Sequence, residues 1–322
     1  MRFMKLPCLY IVIPCYNEQI VLPQTIPMFV NKLNELISSE TISGSSRVVF
    51  VNDGSKDDTW AIISRCAEQE ILVEGICLSR NRGHQNALLC GLMTVKDKCD
   101  VTISIDCDGQ DDINAMNDML EAYRKGADVV YGVRSSRKTD TFFKRFTAQT
   151  FYRLLKGMGA EVVYNHADYR LISSRVLNDF ADFKEVNIFL RGMITLVGFN
   201  STSVYYERHE RLAGKSHYPF KKMLALAIDG ITSLSIKPIR LITSLGAFLL
   251  IFNLSVLLIG SIVFLCGNPV SSWLMTLSAS ALLCALQIIA VGVVGEYVGK
   301  VYLETKARPR YIISESTFKN ND

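Results

Sequence analysis

Residues 1–135 alternate short apolar runs with longer stretches in which apolar side chains recur every three or four positions. The short runs predict buried β-strands at 9–14, 47–52, 71–78, 101–105 and 127–133, because a strand covered on both faces is apolar throughout. The longer stretches predict helices at 23–38, from about 57, from about 84 and at 113–123. Strands that alternate with helices in this way predict an α/β fold with a parallel, doubly wound sheet.

A long uncharged segment begins at residue 241: residues 241–295 contain no Asp, Glu, Lys or Arg. A membrane span needs about 20 apolar residues, so this run can form two helices, at about 241–265 and 272–295. The turn chemistry of Cys266 to Pro269 lies between them. We predict a transmembrane hairpin, with a buried helical pair in a soluble core as the alternative. Residues 296–322 then form a C-terminal tail, which we expect to be disordered from Ser314 onward.

Charge on the two sides of this run predicts its orientation. Basic residues precede it (Lys215, Lys221, Lys222, Lys237, Arg240) and follow it (Lys300, Lys306, Arg308, Arg310), whereas the central turn carries no charge. Lys and Arg mark the cytoplasmic side of membrane proteins, so both flanks are predicted to be cytoplasmic. The chain has nine cysteines and lacks a C-x-x-C pair, which fits a reducing compartment.

The segment just before the hairpin, residues 219–240, predicts an amphipathic juxtamembrane helix. Its apolar side chains follow helical spacing, and basic side chains fall on the other face. Such a helix suits the surface of a lipid bilayer, with an ordinary core-packing helix as the alternative. The net charge of +4 is mild and concentrated near the membrane, so we expect membrane lipids and phosphate groups as partners and no nucleic acid.

Polar residues follow the first and second predicted strands. Tyr16 and Asp53 lie at neighbouring strand ends, where ligands bind in open α/β sheets. Together they could hold a nucleobase by stacking and by accepting an N–H. The alternative is a turn with Ser55 or Asp57 capping the next helix. No G-x-G-x-x-G sequence follows either strand, which disfavours a dinucleotide-binding fold.

The largest cluster of candidate site residues follows the fourth strand, where four of the seven positions 106–112 are acidic. Carboxylates this close repel one another unless a cation is bound, and hard oxygen ligands suit Mg²⁺ or Mn²⁺ shared with a diphosphate. The alternative is a solvated acidic turn in which Asp111 or Asp112 caps the next helix. Asp168 is an isolated carboxylate that carries little weight by itself.

Seven segments together resemble one family. They are VIPCYNE (12–18), VNDGSKDDT (51–59), SRNRGHQNALLCGL (79–92), DCDGQDD (106–112), ADYRLISSR (167–175), the stretch from RHERLAGKSHY through SLS (208–235) and GEYVGKVYLETKARPRY (295–311). In this order, and with a hairpin, they resemble family 2 glycosyltransferases of the polyprenyl-phosphate type, which include bactoprenol glucosyltransferases and dolichyl-phosphate mannose synthase. The resemblance implies a Rossmann-like, glycosyltransferase A-type catalytic domain over 1–218, which precedes the juxtamembrane helix, hairpin and tail.

The resemblance also implies roles for individual residues. Donor-binding residues would be Pro14, Tyr16, Glu18, Asp53, Arg80 and Asp106; metal ligands would be Asp108 and Gln110. Asp168 would be the catalytic base that engages the acceptor phosphate. Phosphate groups near the membrane would be bound by Arg208, Arg211, Lys215, Ser216 and Tyr218. Lys215 and His217 depart from the usual pattern of this last element, in which the lysine stands two positions later.

The implied reaction is an inverting transfer of one sugar from a nucleotide diphosphate sugar, UDP-glucose or UDP-GlcNAc, to undecaprenyl phosphate. It would take place at the cytoplasmic face of a bacterial plasma membrane, with Mg²⁺ or Mn²⁺ as cofactor. We expect a multi-pass protein that forms a homo-oligomer. Two alternatives are a processive polysaccharide synthase, whose Q-x-x-R-W motif is absent here, and a non-catalytic, membrane-anchored protein that binds sugar nucleotides.

Overall fold

The structure is a computed structural model that describes residues 6–135, 166–185, 190–208 and 272–318, together with the isolated positions 248, 251, 255 and 258. Its strands are β1 Leu9–Cys15, β2 Arg47–Asn52, β3 Val73–Leu78, β4 Val101–Ser104, β5 Val129–Arg134, β6 His166–Ser173, β7 Ser201–Tyr206 and β8 Ile313–Ser316. Its helices are α1 Leu22–Ser38, α2 Thr59–Gln69, α3 His84–Val95, α4 Ala115–Arg124, α5 Ser174–Phe180, α6 Leu190–Leu196 and α7 Ser272–Lys306. Each of the five strands and four helices predicted before residue 135 is present, with shifts of a few residues at their ends.

The strands form one sheet in the order β7-β5-β6-β4-β1-β2-β3-β8. β1 pairs in parallel with β2 and β4, and β2 pairs in parallel with β3. β6 lies antiparallel between β4 and β5, and β8 lies antiparallel to β3. The five strands predicted before residue 135 therefore run parallel to one another, as expected. The complete sheet is mixed, because β6 and β8, which the sequence does not predict, run in the opposite direction.

Alternation along the strands sends apolar side chains to both faces of the sheet. In β1, Ile11 and Ile13 belong to the core on one face, whereas Val12 belongs to the core on the other. Helices α1, α2 and α4 contribute to the first core, and α3, α5 and α6 contribute to the second. Helices therefore pack on both faces of the sheet, which is the doubly wound arrangement that the sequence predicts. The ends of the strands are not covered by these helices and can form a binding site.

Helix α3 sits unusually close to the sheet. A Cβ atom added at Gly91 would lie 2.4 Å from Val12 Cγ1 and 2.8 Å from Val51 Cγ2, which is inside van der Waals contact. Glycine therefore allows α3 to approach β1 and β2 directly. This contact lies two turns after His84, the first residue of α3.

The C-terminal segment differs from its prediction, because Ile313–Ser316 form a strand of the main sheet. Ile76 pairs with Ser316, and the Thr317 hydroxyl accepts a hydrogen bond from the Gly75 N–H at 2.8 Å. Trp60 Nε1 donates to Glu315 Oε2 at 2.9 Å. The expectation of a disordered end from Ser314 is wrong, and the sheet of residues 1–218 also includes a strand from beyond residue 300.

The first span of the predicted hairpin falls largely outside the described residues, and the predicted juxtamembrane helix at 219–240 falls wholly outside them. The first span, 241–265, is represented only by four isolated positions. Helix α7 begins at the predicted start of the second span and continues to Lys306, past the predicted end at 295. Over the part of the chain that the structure describes, no helix combines the length and apolar character that a membrane crossing needs, so the hairpin is not supported there.

Candidate active site

Within the described residues, the candidate site residues predicted from the sequence lie along one edge of the sheet. The carboxyl ends of β1, β2 and β4 lie at this edge, and the antiparallel strand β6 begins there. Parallel strands expose their following loops at a common edge, which is where ligands bind in α/β sheets. Asp53, the acidic segment from Asp106 and Asp168 are therefore neighbours in the fold.

Asp53 is buried, and its carboxylate is bound by backbone groups. Oδ1 accepts a hydrogen bond from the Arg82 N–H at 2.7 Å, and Oδ2 accepts one from the Gly83 N–H at 2.9 Å. Burial raises the pKa of Asp53, and these two hydrogen bonds oppose the rise. The sequence predicts that this carboxylate accepts an N–H from a nucleobase, but in the structure it holds the segment after β3.

The loop after β2 lies directly beneath the segment that Asp53 holds. Gly54 has φ +60°, and a Cβ atom there would lie 2.4 Å from the Arg80 carbonyl carbon. Only glycine fits both the conformation and this close approach. Arg80 itself is exposed, so its side chain can reach a ligand above the sheet edge.

The loop after β1 is tied to the loop after β2. The Asn17 N–H donates to Ser55 Oγ at 2.9 Å, and Asn17 Oδ1 accepts from the Lys56 N–H at 3.0 Å. The Glu18 N–H donates to Thr59 Oγ1 at 2.8 Å. Tyr16 directly precedes these hydrogen-bonded residues, and its side chain is exposed. Its ring is therefore available for stacking.

Asp111 and Asp112, at the end of the acidic segment 106–112, contact parts of the fold around α4. Asp111 is buried, and its Oδ1 accepts from the Tyr206 hydroxyl at 2.7 Å and lies 3.4 Å from Arg134 Nη2. Asp112 Oδ1 accepts from the Asn114 N–H at 2.9 Å. Asn114 occupies the cap position before α4, so neither Asp111 nor Asp112 caps this helix. Asp112 binds the N–H of that cap residue, and Asp111 belongs to a buried ion pair.

Asp108 and Gln110 were the predicted metal ligands. Asp108 is buried, and its Oδ1 accepts a hydrogen bond from the Gln110 N–H at 3.1 Å. The Gln110 side-chain oxygen accepts from the Arg208 guanidinium, so it faces a cationic side chain. Among the described residues, no group of three or more His, Cys, Asp or Glu side chains is arranged to hold a metal ion.

His84 lies between the two carboxylates that remain. Its Nε2 is 3.8 Å from Asp106 Oδ1 and 3.4 Å from Asp168 Oδ2. Burial raises the pKa of Asp106; nearby His84 lowers it, and the charges of Asp111, Asp168 and Asp108 raise it further. His84 therefore lies next to a cluster of carboxylates whose negative charges repel one another.

Asp168 is held by a buried arginine. Arg170 Nη2 lies 2.6 Å from Asp168 Oδ1, and Arg170 Nη1 donates to the Leu190 carbonyl at 3.3 Å. The Asp168 carbonyl accepts from Ser104 Oγ at 2.6 Å. The buried guanidinium of Arg170 thus offsets the negative charge of Asp168.

His84, Arg134 and Tyr206 carry much of this geometry, and the sequence alone does not single them out. His84 could have been found from its position at the start of a predicted helix after a strand end. Arg134 ends β5 at the same edge, whereas Tyr206 belongs to a strand that the sequence does not show clearly. Four predicted phosphate ligands lie outside the described residues: Arg211, Lys215, Ser216 and Tyr218.

Comparison with known proteins shows which family the chain belongs to. The profile of "Glycosyl transferase family 2" matches residues 10–181, which include both loops and all three carboxylates. The chain belongs to glycosyltransferase family 2. Its mixed sheet and open strand ends are accordingly those of a Rossmann-like, glycosyltransferase A-type domain, and the chain is a glycosyltransferase.

Relatives within family 2 match nearly the whole chain. Glycosyltransferase YkoT from Bacillus subtilis (strain 168) is 46% identical over 308 residues, which cover 95% of this chain and 91% of YkoT. The bactoprenol glucosyl transferase of Shigella phage SfX is 38% identical over 307 residues, 94% of this chain and 97% of its own. The solved structure of Mycobacterium tuberculosis glucosyl-3-phosphoglycerate synthase with Mn²⁺ and UDP-glucose has a TM-score of 0.46 and 16% identity, covering 71% of this chain and 78% of its own.

Proposed function

We propose that this glycosyltransferase moves one sugar from a nucleotide diphosphate sugar to a polyprenyl phosphate such as undecaprenyl phosphate. The observation that carries the proposal is the convergence of Asp106, Asp108 and Asp168 at one sheet edge, with Arg170 and His84 beside Asp168. Relatives of similar length are named as bactoprenol glucosyl transferases, which supports a lipid phosphate as the acceptor. UDP-glucose and UDP-GlcNAc are the donors we expect.

The proposed chemistry is a single displacement at the anomeric carbon, which inverts its configuration. A polyprenyl phosphate is already an anion at neutral pH, so Asp168 has little proton to remove. Its main task is to orient the acceptor, with Arg170 offsetting the repulsion between carboxylate and phosphate. Positioning of this kind is among the largest contributions to catalysis.

Asp106 and Asp108 fit a divalent cation because carboxylate oxygens are the ligands that Mg²⁺ and Mn²⁺ prefer. Two protein carboxylates leave coordination positions that a diphosphate can fill. When bound, the ion neutralises charge on the leaving diphosphate. Gln110 is a weaker candidate ligand than the sequence suggests, because its side-chain oxygen faces Arg208.

Attachment to the membrane, with the catalytic domain in the cytoplasm, belongs to the same proposal. It is supported by the uncharged run at 241–295 and by a lipid-linked acceptor. Flotation of cell extracts on a density gradient, followed by extraction at alkaline pH, tests it. Full release of the protein at alkaline pH would contradict a spanning hairpin.

The decisive experiment incubates the purified full-length protein in detergent with undecaprenyl phosphate and a panel of sugar nucleotides. We expect one lipid-linked monosaccharide from one donor, and loss of product with EDTA. Polymeric product would instead indicate a processive synthase, and donor binding without product would indicate a binding protein.

A matched pair of substitutions tests the metal site. Asp108→Asn removes a charged ligand, so transfer should fall at least about 100-fold, the scale typical of a lost electrostatic contact. Asp112→Asn makes the same change four residues later, where the side chain only accepts a backbone N–H, and should retain activity. Equal activity of the two folded variants would contradict a metal role for Asp108.

A further inference from the structure

His84 belongs to a closed circuit of contacts that includes Asp168. The next residue, Gln85, accepts a hydrogen bond from the Leu190 N–H at its Oε1, at 2.9 Å. The Leu190 carbonyl accepts from Arg170, and Arg170 binds Asp168 Oδ1. Asp168 Oδ2 then lies 3.4 Å from His84 Nε2. The circuit joins α3, α6 and β6, so a shift of any one of them is opposed by the other two.

The main chain at His84 is fixed independently of this circuit. Arg82 and Gly83 donate their N–H groups to the buried Asp53 carboxylate. Gly91, two turns further along α3, packs directly against β1 and β2. The backbone at His84 is therefore held in place. Its imidazole lies near Asp106, which follows β4, and near Asp168 on β6.

The two oxygens of Asp168 are contacted from different directions. Arg170, which is itself fully buried, holds Oδ1 from within the sheet. His84, whose side chain is 30% exposed, faces Oδ2 from the solvent side of the site. One contact alone would leave the carboxylate free to rotate about its terminal bond, whereas two fix its plane.

We propose that His84 is a positioning residue for sugar transfer: its Nε2–H orients Asp168 Oδ2 and separates Asp168 from Asp106. The inference rests on the proposed function of Asp168 as the group that engages the acceptor phosphate. His84 contacts neither the donor nor the acceptor in this scheme. Its effect on turnover is exerted through Asp168.

Three substitutions at position 84 separate this role from simple packing. His84→Leu removes the N–H, and kcat should fall about 10- to 100-fold, as expected for a misplaced catalytic group, while the donor Kd stays within about twofold. His84→Gln extends an amide N–H to the region of Nε2 and should recover most of the rate. His84→Asn has the same amide on a side chain one methylene shorter, so it should not.

Several results would overturn the inference. Full kcat in folded His84→Leu protein would do so, as would equal losses for the Gln, Asn and Leu variants or a defect confined to donor affinity. Adding His84→Leu to Asp168→Ala should cost nothing further, because residues that act as a unit are non-additive. A full additional loss in the double variant would show that His84 acts independently of Asp168.

A spectroscopic measurement tests the contact without relying on activity. The chain has four histidines, so ¹⁵N-histidine labelling gives few signals, and the His84→Gln variant assigns the one from His84. We expect a proton on Nε2, and a changed Nε2 shift in Asp168→Ala protein. If no lipid-linked sugar forms, the proposed function fails; an unchanged His84 signal in Asp168→Ala protein refutes the contact itself.

Discussion

At the scale of residues, the site concentrates negative charge that the fold only partly neutralises. Asp111 is balanced by Arg134, and Asp168 by Arg170. Within the described residues, Asp106 has only His84 as an ion-pair partner, 3.8 Å away. Burial and neighbouring carboxylates raise the pKa of Asp106. The free enzyme is therefore less stable than it would be with a neutral side chain at this position.

We predict that Asp106→Asn stabilises the protein and abolishes transfer. A carboxyl group whose pKa is raised by folding favours the folded state when protonated, and this contribution is lost as pH rises through the raised pKa. At neutral pH the substitution should therefore raise Tm by about 2 °C, the shift typical of a change near 1 kcal/mol in a chain of this size. The advantage should disappear in acid, where Asp106 is protonated.

Thermal unfolding with and without MgCl₂ provides the control. Ligands that bind only the folded state raise Tm, so the ion should stabilise the parent protein more than Asp106→Asn. A lower Tm in Asp106→Asn at neutral pH, or equal stabilisation of both proteins by the ion, would contradict this account of the charge cluster.

At the scale of elements, α3 connects the core to the site. The helix begins with His84 at the sheet edge and places Gly91 against Val12 and Val51. Alanine favours helices over glycine by up to about 1 kcal/mol, yet here the methyl group would overlap two valine side chains. The short distance between α3 and the sheet therefore depends on glycine at position 91, which has no side chain.

Gly91→Ala should lower the free energy of unfolding by about 1–3 kcal/mol, which is typical of overpacking a core, and should lower kcat as α3 moves outward with His84. Gly44→Ala is the control, because no described atom lies within 4 Å of a Cβ atom at that position. Denaturant unfolding and transfer assays check both variants. A stable, fully active Gly91→Ala protein would show that the sheet can adjust to the helix.

Most elements before residue 135 could be predicted, because apolar periodicity reports local structure and burial. β2 was predicted with its bounds unchanged, and α3 with its first residue. The antiparallel direction of β6 could not be predicted, because the direction of a strand depends on how the chain returns to the sheet. Asp106, Asp108 and Asp168 follow from the acidic pattern and the family resemblance. The pairing of Asp111 with Tyr206 could not be predicted, since these residues are 95 positions apart.

At the scale of the whole molecule, β8 makes the sheet depend on distant parts of the chain. It closes the β3 edge through pairing, Thr317 and the Trp60–Glu315 hydrogen bond. An unpaired strand edge invites association with other chains. Truncation after residue 240 would remove β8 along with the predicted hairpin, so it does not isolate an intact catalytic sheet.

Deletion of residues 313–322 should therefore destabilise the protein and promote aggregation, although every predicted site residue is retained. Deletion of 319–322 alone removes none of the β8 contacts and should be harmless. Light scattering and thermal unfolding in detergent distinguish the two. Equal stability of both truncated proteins would show that β8 contributes little to the sheet.

The antiparallel pairing of β8 with β3 also has a consequence for biosynthesis. Gly75 and Thr317 are separated by 242 positions, so β3 leaves the ribosome long before its partner exists. At about 5–20 residues per second, roughly 12–48 s pass in which the β3 edge is exposed. Slow translation or a shortage of chaperones during that interval should therefore reduce the yield of folded enzyme. The reduction should be larger than for a protein whose paired edge strands are neighbours in sequence.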